Sequence, residues 1–193
     1  MGELGLLGMM VPAEYGGAGA GAVSYCLALQ EIAYSCASTA VTMSVANLST
    51  EPLLQFGDEE LKGRYLVPLA GGELLGCFAL TEPEAGSDPG SLSTRAEDKG
   101  DHYLVNGMKT FITHGQYADV INLIARTGQE KGGKGLSAFI VEKDAPGFTV
   151  GAREDKMGLR ASNTVELLFN DCRVPRENLV GKPGIGFKVA MSA

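Results

Sequence analysis

The stretch Phe78–Asp88, with the sequence FALTEPEAGSD, has the residue types of an anion-binding loop. An apolar run that ends near Leu80 predicts a strand, and a proline turn follows it. Beyond the turn, Ala85, Gly86 and Ser87 let backbone amides approach an anion closely, and the serine adds a hydroxyl donor. The loop is therefore a candidate cradle for a diphosphate, although an ordinary tight turn can have the same residues.

A second stretch, residues 106–115 (NGMKTFITHG), places an aromatic side chain close to a hydroxyl. On a regular strand, Phe111 and Thr113 point to the same face because side chains alternate. Such a pair can flank a planar ring system and form a hydrogen bond with its edge. In isolation, the pattern is more typical of a core phenylalanine and an incidental threonine.

The first third of the chain predicts helices. Apolar residues at helical spacing predict a helix over residues 22–37. A second helix over 39–56 is expected to stop at Gly57 and to be kinked or divided at Pro52. Asp58 has the position of an N-cap for a third helix that ends near residue 70.

After residue 72 the pattern changes to short apolar strands. The dipeptide Asn106-Gly107 lies between two such runs and predicts a β-hairpin with a type I′ turn. Strands at this spacing are typical of an antiparallel barrel or sandwich rather than of βαβ units, so we predict an α+β fold. The apolar runs are 74–80, 103–105, 108–113, 120–125, 136–141, 148–150 and 165–169.

Composition excludes several function classes. A net charge of −7 and a pI of about 4.9 argue against nucleic acid as a partner, because phosphate binding needs a clustered basic surface. Apolar runs are all shorter than the roughly 18 residues of a membrane span, so no span is expected. Two histidines and four cysteines without short spacing predict no metal site, and we expect the cysteines to be buried free thiols.

Two nucleotide-binding patterns are nearly matched. Gly17, Gly19 and Ala22 fit a dinucleotide fingerprint, but strand–helix–strand context does not surround them. Gly128 and Lys134 fit part of a triphosphate-binding loop whose required Ser or Thr is a glycine here. Abundant glycine explains both patterns.

Together, the stretches around Thr81 and Phe111 closely resemble the acyl-CoA dehydrogenase family. Three further stretches in the same order are also similar to it, namely 10–19 (MVPAEYGGAG), 155–164 (DKMGLRASNT) and 171–175 (DCRVP). The resemblance covers essentially the whole chain. It implies a helical N-terminal domain, a middle β-domain and a C-terminal four-helix domain, usually in homotetramers. On that pattern the chain contains a partial helical domain (1–72), the middle β-domain (73–178) and the start of the C-terminal domain (179–193).

The resemblance also implies FAD as cofactor and assigns residues to it. Phe78, Leu80 and Thr81 line the flavin ring, and the Thr81 hydroxyl lies near its pyrimidine edge. Gly86 and Ser87 meet the pyrophosphate, and Ser87 also lies near the CoA moiety of the substrate. Phe111 lies against the flavin face, Thr113 reaches the edge near the reactive nitrogen, and Ile112 is a further cofactor residue. Phe111 occupies a position that is often Trp, and His114 replaces a common Asn.

The activity implied by the resemblance is dehydrogenation across the α,β bond of an acyl-CoA thioester. A carboxylate removes the α-proton, a hydride goes to the flavin, and an electron-transferring flavoprotein receives the electrons. The base lies in the family's C-terminal helical domain, so no catalytic residue is assigned here. Because both ends look cut, we expect an internal fragment that is inactive alone, from a protein of the cytoplasm or, in a eukaryote, the mitochondrial matrix.

Other functions are compatible with the same resemblance. A related flavin enzyme, such as an acyl-CoA oxidase, a nitroalkane oxidase or a flavin monooxygenase, would differ in the reaction of its reduced flavin with oxygen. A non-catalytic module of the same fold would contain no flavin.

Overall fold

The computed structural model describes residues 1–130 and 132–193. The helices are α1 (Gly21–Ser35), α2 (Ala37–Phe56), α3 (Glu59–Leu61), a π-helical segment (Lys62–Leu66), α4 (Val67–Gly71) and α5 (Gly186–Ser192). The strands are β1 (Gly76–Ala79), β2 (Arg95–Asp98), β3 (His102–Thr113), β4 (Val120–Arg126), β5 (Leu136–Glu142), β6 (Phe148–Arg153), β7 (Thr164–Pro175) and β8 (Leu179–Val180).

The helical part agrees with the sequence patterns. The carboxylate of Asp58 accepts a hydrogen bond from the Leu61 amide at 2.9 Å, which confirms the predicted N-cap and satisfies one of the free amides of the first turn. The helix α2 ends before Gly57, as predicted, but it continues through the buried Pro52 as one element and is not divided. From Glu59 the chain stays helical to Gly71, where Gly72 takes a left-handed conformation.

The strands form one sheet of eight strands in the order β6-β7-β3-β2-β4-β5-β8, with β1 parallel to β4. Most pairs are antiparallel. Among the described residues, Arg95–Arg126 is the one strand-register pair between an outer half (β2, β3, β6, β7) and an inner half (β1, β4, β5, β8) of the sheet. The antiparallel-rich β-domain is thus confirmed, but within the described residues its end strands β6 and β8 do not pair, so the sheet is not closed into a barrel.

The inner half lies between the helices and the outer half. On one face of β4, Val120 and Ile124 pack in a cluster with Leu53 and Leu66 of the helical part. On the other face, Ile121 and Leu123 pack with Tyr103 of β3, whose ring lies 4.8 Å from that of Phe139. Burial on both faces explains why β4 and β5 are continuous apolar runs rather than alternating ones.

The predicted hairpin at Asn106-Gly107 is wrong. Residues 102–113 form one uninterrupted strand, and the register with β7 shifts between Val105 and Gly107, which marks a β-bulge. Gly107 has a φ of 149°, and a Cβ there would lie 2.4 Å from Thr94 Oγ1. The glycine therefore permits a close approach of β3 to the start of β2, a tertiary requirement that resembles a turn signal in the sequence.

Burial of the cysteines is also not uniform. Cys77 and Cys172 are buried, but Cys26 and Cys36 are exposed, so the expectation fails for the latter two. Cys26 lies on α1, which buries none of its residues, and Cys36 is the residue that joins α1 to α2. Within residues 1–130 and 132–193, no helix is long and apolar enough to cross a membrane, and no group of three or more His, Cys, Asp or Glu side chains is placed to hold a metal ion.

Candidate functional site

The two chemically suggestive stretches meet along one line, which we call the seam and define as residues 76–81 and 110–114. The Thr110 amide donates to the Thr81 carbonyl at 2.9 Å, and His114 Nδ1 lies 3.2 Å from the Gly76 carbonyl. These contacts at both ends show that β1 and the end of β3 run side by side in opposite directions. The seam brings Phe78, Leu80 and Thr81 together with Phe111, Ile112 and Thr113.

The β3 side of the seam departs from regular alternation. Lys109 and Thr110 are both buried, and the register with β7 shifts between Lys109 and Ile112. Ile112 is 2% exposed and belongs to the core between the two sheet halves, so only its backbone can contact a ligand. Thr113 is half-buried, and Phe111 lies outside the core.

Phe111 has an unusual conformation for an aromatic residue. Its φ is 58°, in the left-handed region, and its side chain is 62% exposed. A non-glycine residue in this region costs about 1–2 kcal/mol, and little burial of the ring offsets the cost here. Strain of this kind concentrates at ligand-binding positions, where a bound molecule can cover the exposed ring.

The β1 side supplies apolar side chains and then a loop. Phe78 and Leu80 are half-buried against the helix-facing core. Glu82 and Ala85 close a tight turn through two backbone hydrogen bonds, of 3.0 and 3.1 Å. The next residue, Gly86, is exposed, and no atom beyond its chain neighbours lies within 4 Å of where a Cβ would be. The turn therefore presents open backbone at the position predicted to meet an anion.

Hydroxyl groups divide into two sets around this loop. Those of Ser91, Ser93 and Thr94 are engaged by Asp88, by Glu82 and by the Met108 carbonyl. By contrast, the hydrogen bonds of the described chain engage none of the hydroxyls of Thr81, Ser87 and Thr113. The three hydroxyls predicted to contact a ligand thus have no protein partner, and neither has the buried hydroxyl of Thr110 in the seam, while the hydroxyls of the neighbouring residues stabilise the loop.

Beneath the seam lies a buried ion pair that sequence analysis did not assign. Lys109 Nζ lies 2.7 Å from Glu82 Oε1, and the side chains are 0% and 2% exposed. Burial would raise the pKa of Glu82, but the charge of Lys109 and hydrogen bonds from Lys109, Thr94 and Ser93 lower it to about 2. Burial lowers the pKa of Lys109 to about 8, although Glu82 opposes the shift. Both groups are therefore charged at neutral pH.

The sequence contains a signal for the ion pair of Glu82 and Lys109. Lys109 is in phase with Tyr103 and Val105, both of which are buried, so alternation along the strand places it on the core face. A lysine on a core face needs a buried partner, and Glu82 in the other stretch is an acid of opposite charge.

His114 closes the other end of the seam. Burial lowers its pKa, so the ring is neutral at neutral pH. Because the Gly76 carbonyl can only accept, Nδ1 carries the proton, and Nε2 is a buried acceptor without a partner in the described chain. The residue also has a φ of 68°, in the left-handed region, where Asn and His are both more common than most other non-glycine residues.

These groups fit a planar heteroaromatic ligand with a diphosphate. The fit rests on the strained, exposed Phe111, the open backbone at Gly86 and the unengaged hydroxyls. Glu82 does not fit the role of a general base, because it is 3% exposed, is paired with Lys109 and has a pKa far below neutrality.

Comparisons with known proteins agree with this arrangement. Residues 1–73 match the sequence model of the acyl-CoA dehydrogenase N-terminal domain, and residues 77–172 match that of the middle domain. An acyl-CoA dehydrogenase of Bacillus subtilis is 53% identical over 193 residues, which are 100% of this chain and 51% of that protein. A mitochondrial short-chain specific acyl-CoA dehydrogenase of Rattus norvegicus is 50% identical over 192 residues, 99% of this chain and 47% of that protein.

Solved structures are similar over the same region. The butyryl-CoA dehydrogenase of Megasphaera elsdenii has a TM-score of 0.94 and 45% identity, with coverage of 98% of this chain and 52% of that one. A chain in a structure of the electron transferring flavoprotein of Acidaminococcus fermentans has a TM-score of 0.97 and 48% identity, covering 100% and 51%. An acyl-CoA dehydrogenase of Bacillus anthracis complexed with FAD has a TM-score of 0.91 and 42% identity, covering 98% and 32%. The chain spans about half the length of the curated relatives it matches.

Proposed function

The chain belongs to the acyl-CoA dehydrogenase family, and from this premise we propose that the full-length protein dehydrogenates an acyl-CoA thioester across its α,β bond with FAD bound at the seam. The observation that carries the proposal is the hydrogen bond between Thr110 and Thr81, which joins the two predicted cofactor stretches, beside the exposed Phe111. The division into residues 1–72, 73–178 and 179–193 is part of the proposal.

Different residues bind different parts of FAD. Phe78, Leu80 and Phe111 offer apolar surface to the flavin ring, while the hydroxyls of Thr81 and Thr113 donate to its polar edges. The backbone at Gly86 and the Ser87 hydroxyl bind the pyrophosphate, and Ser87 also faces the CoA part of the substrate. Ile112 contributes through its backbone, because its side chain is in the core. These groups need no net positive charge, in agreement with the acidic composition.

When bound, FAD supplies a hydride acceptor for the β-carbon of the acyl group. The chain's own residues orient the cofactor and exclude water from one side of it. Removal of the α-proton needs a carboxylate base, and we propose that it lies in the part of the full-length protein outside residues 1–193. The burial, ion pairing and low pKa of Glu82 support this, because they exclude the carboxylate that directly follows the seam in the chain.

The names of similar proteins guide the choice of substrate and partners. A short-chain specific enzyme and a butyryl-CoA dehydrogenase are among them, which supports a short acyl chain. A similar chain in an electron transferring flavoprotein structure supports such a protein as electron acceptor. We further propose a homotetramer, located in the cytoplasm or, for a eukaryotic source, in the mitochondrial matrix, as the name of the rat relative suggests.

The test is anaerobic mixing of the full-length protein with butyryl-CoA while the visible absorbance of the flavin is followed. Bleaching is expected in the wild type. Thr113→Val preserves the side-chain shape and removes one hydrogen bond of about 0.5–1.5 kcal/mol, so bleaching should slow by up to about tenfold. The control Thr149→Val changes an exposed threonine on β6 and should have no effect.

Other outcomes identify the alternatives. Absence of flavin from the purified full-length protein would indicate a non-catalytic module. Rapid reaction of the reduced flavin with oxygen would indicate an oxidase or monooxygenase. Unchanged bleaching in Thr113→Val would remove Thr113 from the site.

A further inference from the structure

The buried ion pair of Glu82 and Lys109 connects the two sides of the seam from within the core. We propose that it is a positioning pair that fixes the backbone around Thr81, so that the Thr81 hydroxyl and the loop at Gly86 are pre-organised for FAD. The inference rests on the proposed function, because it concerns the same site. Neither residue is exposed enough to touch the cofactor, so the pair acts through the backbone.

Lys109 reaches the seam from β3. Its ammonium group donates to the Leu80 carbonyl at 2.9 Å and to Glu82 at 2.7 Å. Between these two contacts, the Thr81 carbonyl accepts the amide of Thr110, which follows Lys109 in the chain. Three successive residues on the β1 side are thereby held by two successive residues of β3. The backbone of Thr81 is fixed while its side chain is left without a protein partner.

Glu82 extends the restraint to the loop. Its Oε2 accepts from the Ser93 amide and hydroxyl at 2.6 and 2.8 Å, and its Oε1 accepts from the Thr94 amide at 3.0 Å. The backbone of the same residue closes the turn with Ala85 that presents Gly86. Displacement of this carboxylate would therefore move the turn and the start of β2 together.

Stability alone is a weak reason for such a pair. Burial of two charges carries a large desolvation penalty, and apolar replacements of similar volume are often as stable or more so. Every other ion pair among the described residues has at least one well-exposed side chain. The one fully buried pair of the described chain thus lies directly beneath the candidate cofactor site, where a fixed conformation has a functional use.

The experiment uses the full-length protein and the double variant Glu82→Gln/Lys109→Met. The double change removes both charges, whereas either single change leaves a buried charge unpaired and destabilises the domain. Three quantities are measured: the Kd of FAD by titration, the visible spectrum of the bound flavin, and the thermal midpoint of the apoprotein. Val174→Ala, in the core opposite Tyr103 at the other end of β3, is the control for general destabilisation.

We expect the double variant to bind FAD about tenfold or more weakly and with an altered spectrum, because small misplacements at a pre-organised site have effects of this order. Val174→Ala should keep the wild-type Kd within about twofold. The proposal is overturned if the double variant binds FAD like the wild type, or if the control weakens binding equally at the same loss of thermal midpoint.

If the double variant does not fold, Ser93→Ala replaces it in the test. This change removes only the hydroxyl that donates to Glu82 from an exposed side chain, and it should raise the Kd about threefold. An unchanged Kd in Ser93→Ala then overturns the proposal. Failure of the wild type to bind FAD would instead refute the proposed function, and the inference with it.

Discussion

Gly107→Ala tests the bulge that takes the place of the expected hairpin. At a φ of 149° an alanine is strained, at a cost of about 1–3 kcal/mol. The new Cβ would lie 2.4 Å from Thr94 Oγ1 and 2.7 Å from Thr94 Cα. The hydroxyl can rotate away, but the Cα belongs to the backbone leading into β2, so the strands must separate. Such overpacking costs a further 1–3 kcal/mol or so.

The expected loss is therefore about 2–6 kcal/mol of the free energy of unfolding. With an m-value of about 2 kcal/mol/M, the urea midpoint should fall by about 1–3 M. The measurement is a urea titration of the 193-residue chain followed by circular dichroism, since the chain contains no tryptophan. Gly63→Ala is the matched control: Gly63 is exposed and helical, and nothing lies within 4 Å of where its Cβ would be, so alanine should stabilise by about 0.5–1 kcal/mol.

The size of the stability loss in Gly107→Ala distinguishes the continuous strand from the expected type I′ turn. In an exposed type I′ turn, alanine at the glycine would meet no neighbour, and only a left-handed penalty of about 1 kcal/mol would remain. A loss of about 1 kcal/mol or less in Gly107→Ala would thus refute the close approach of β3 to Thr94.

Three further predictions concern other elements of the chain. Phe111→Gly should leave the apoprotein as stable as the wild type or up to about 1 kcal/mol more stable, because it relieves the left-handed strain at a mostly exposed side chain. FAD retention by the full-length protein should fall, and a marked fall in the thermal unfolding midpoint of the apoprotein would contradict the prediction. Glu82 has a folded pKa of about 2 against an ordinary 4.5, so its contribution to stability is present above pH 4.5 and is lost as the pH falls towards 2. The double variant Glu82→Gln/Lys109→Met should flatten the dependence of the unfolding midpoint on pH in this window only in part, because the pKa values of Asp98, Asp101 and Asp119 are lowered too, and an unaltered profile would show that Glu82 is not buried as a carboxylate. Asp58→Ala should lower the free energy of unfolding by about 1 kcal/mol through loss of the N-cap, whereas Glu60→Ala in the same turn should lower it much less. Equal losses of the two variants in thermal unfolding would argue against the cap.

Local patterns predicted much of the chain. Helical periodicity and the Asp58 cap placed the helices, and apolar runs placed β1, β4, β5, β6 and β7, because these signals depend on neighbours within a few residues. The polar strand β2 and the two-residue strand β8 have no apolar run and were not predicted. Resemblance to a family in two short stretches indicated the candidate site before any geometry was known. The local sequence could not distinguish a turn glycine from a strand glycine opposite a bulge at Gly107, because both have a positive φ and only the approach of Thr94 decides between them.

The tertiary structure decided how the site is held. Sequence order separates Glu82 from Lys109 and Thr81 from Thr110, and only the alignment of β1 with the end of β3 brings them into contact. It also decided that Ile112 faces the core while Phe111, next to it, is strained and exposed, because a register shift against β7 interrupts the alternation that the sequence alone predicts. The residue types that could bind a cofactor were thus determined by the sequence, whereas long-range packing determined which of their groups remain free to do so.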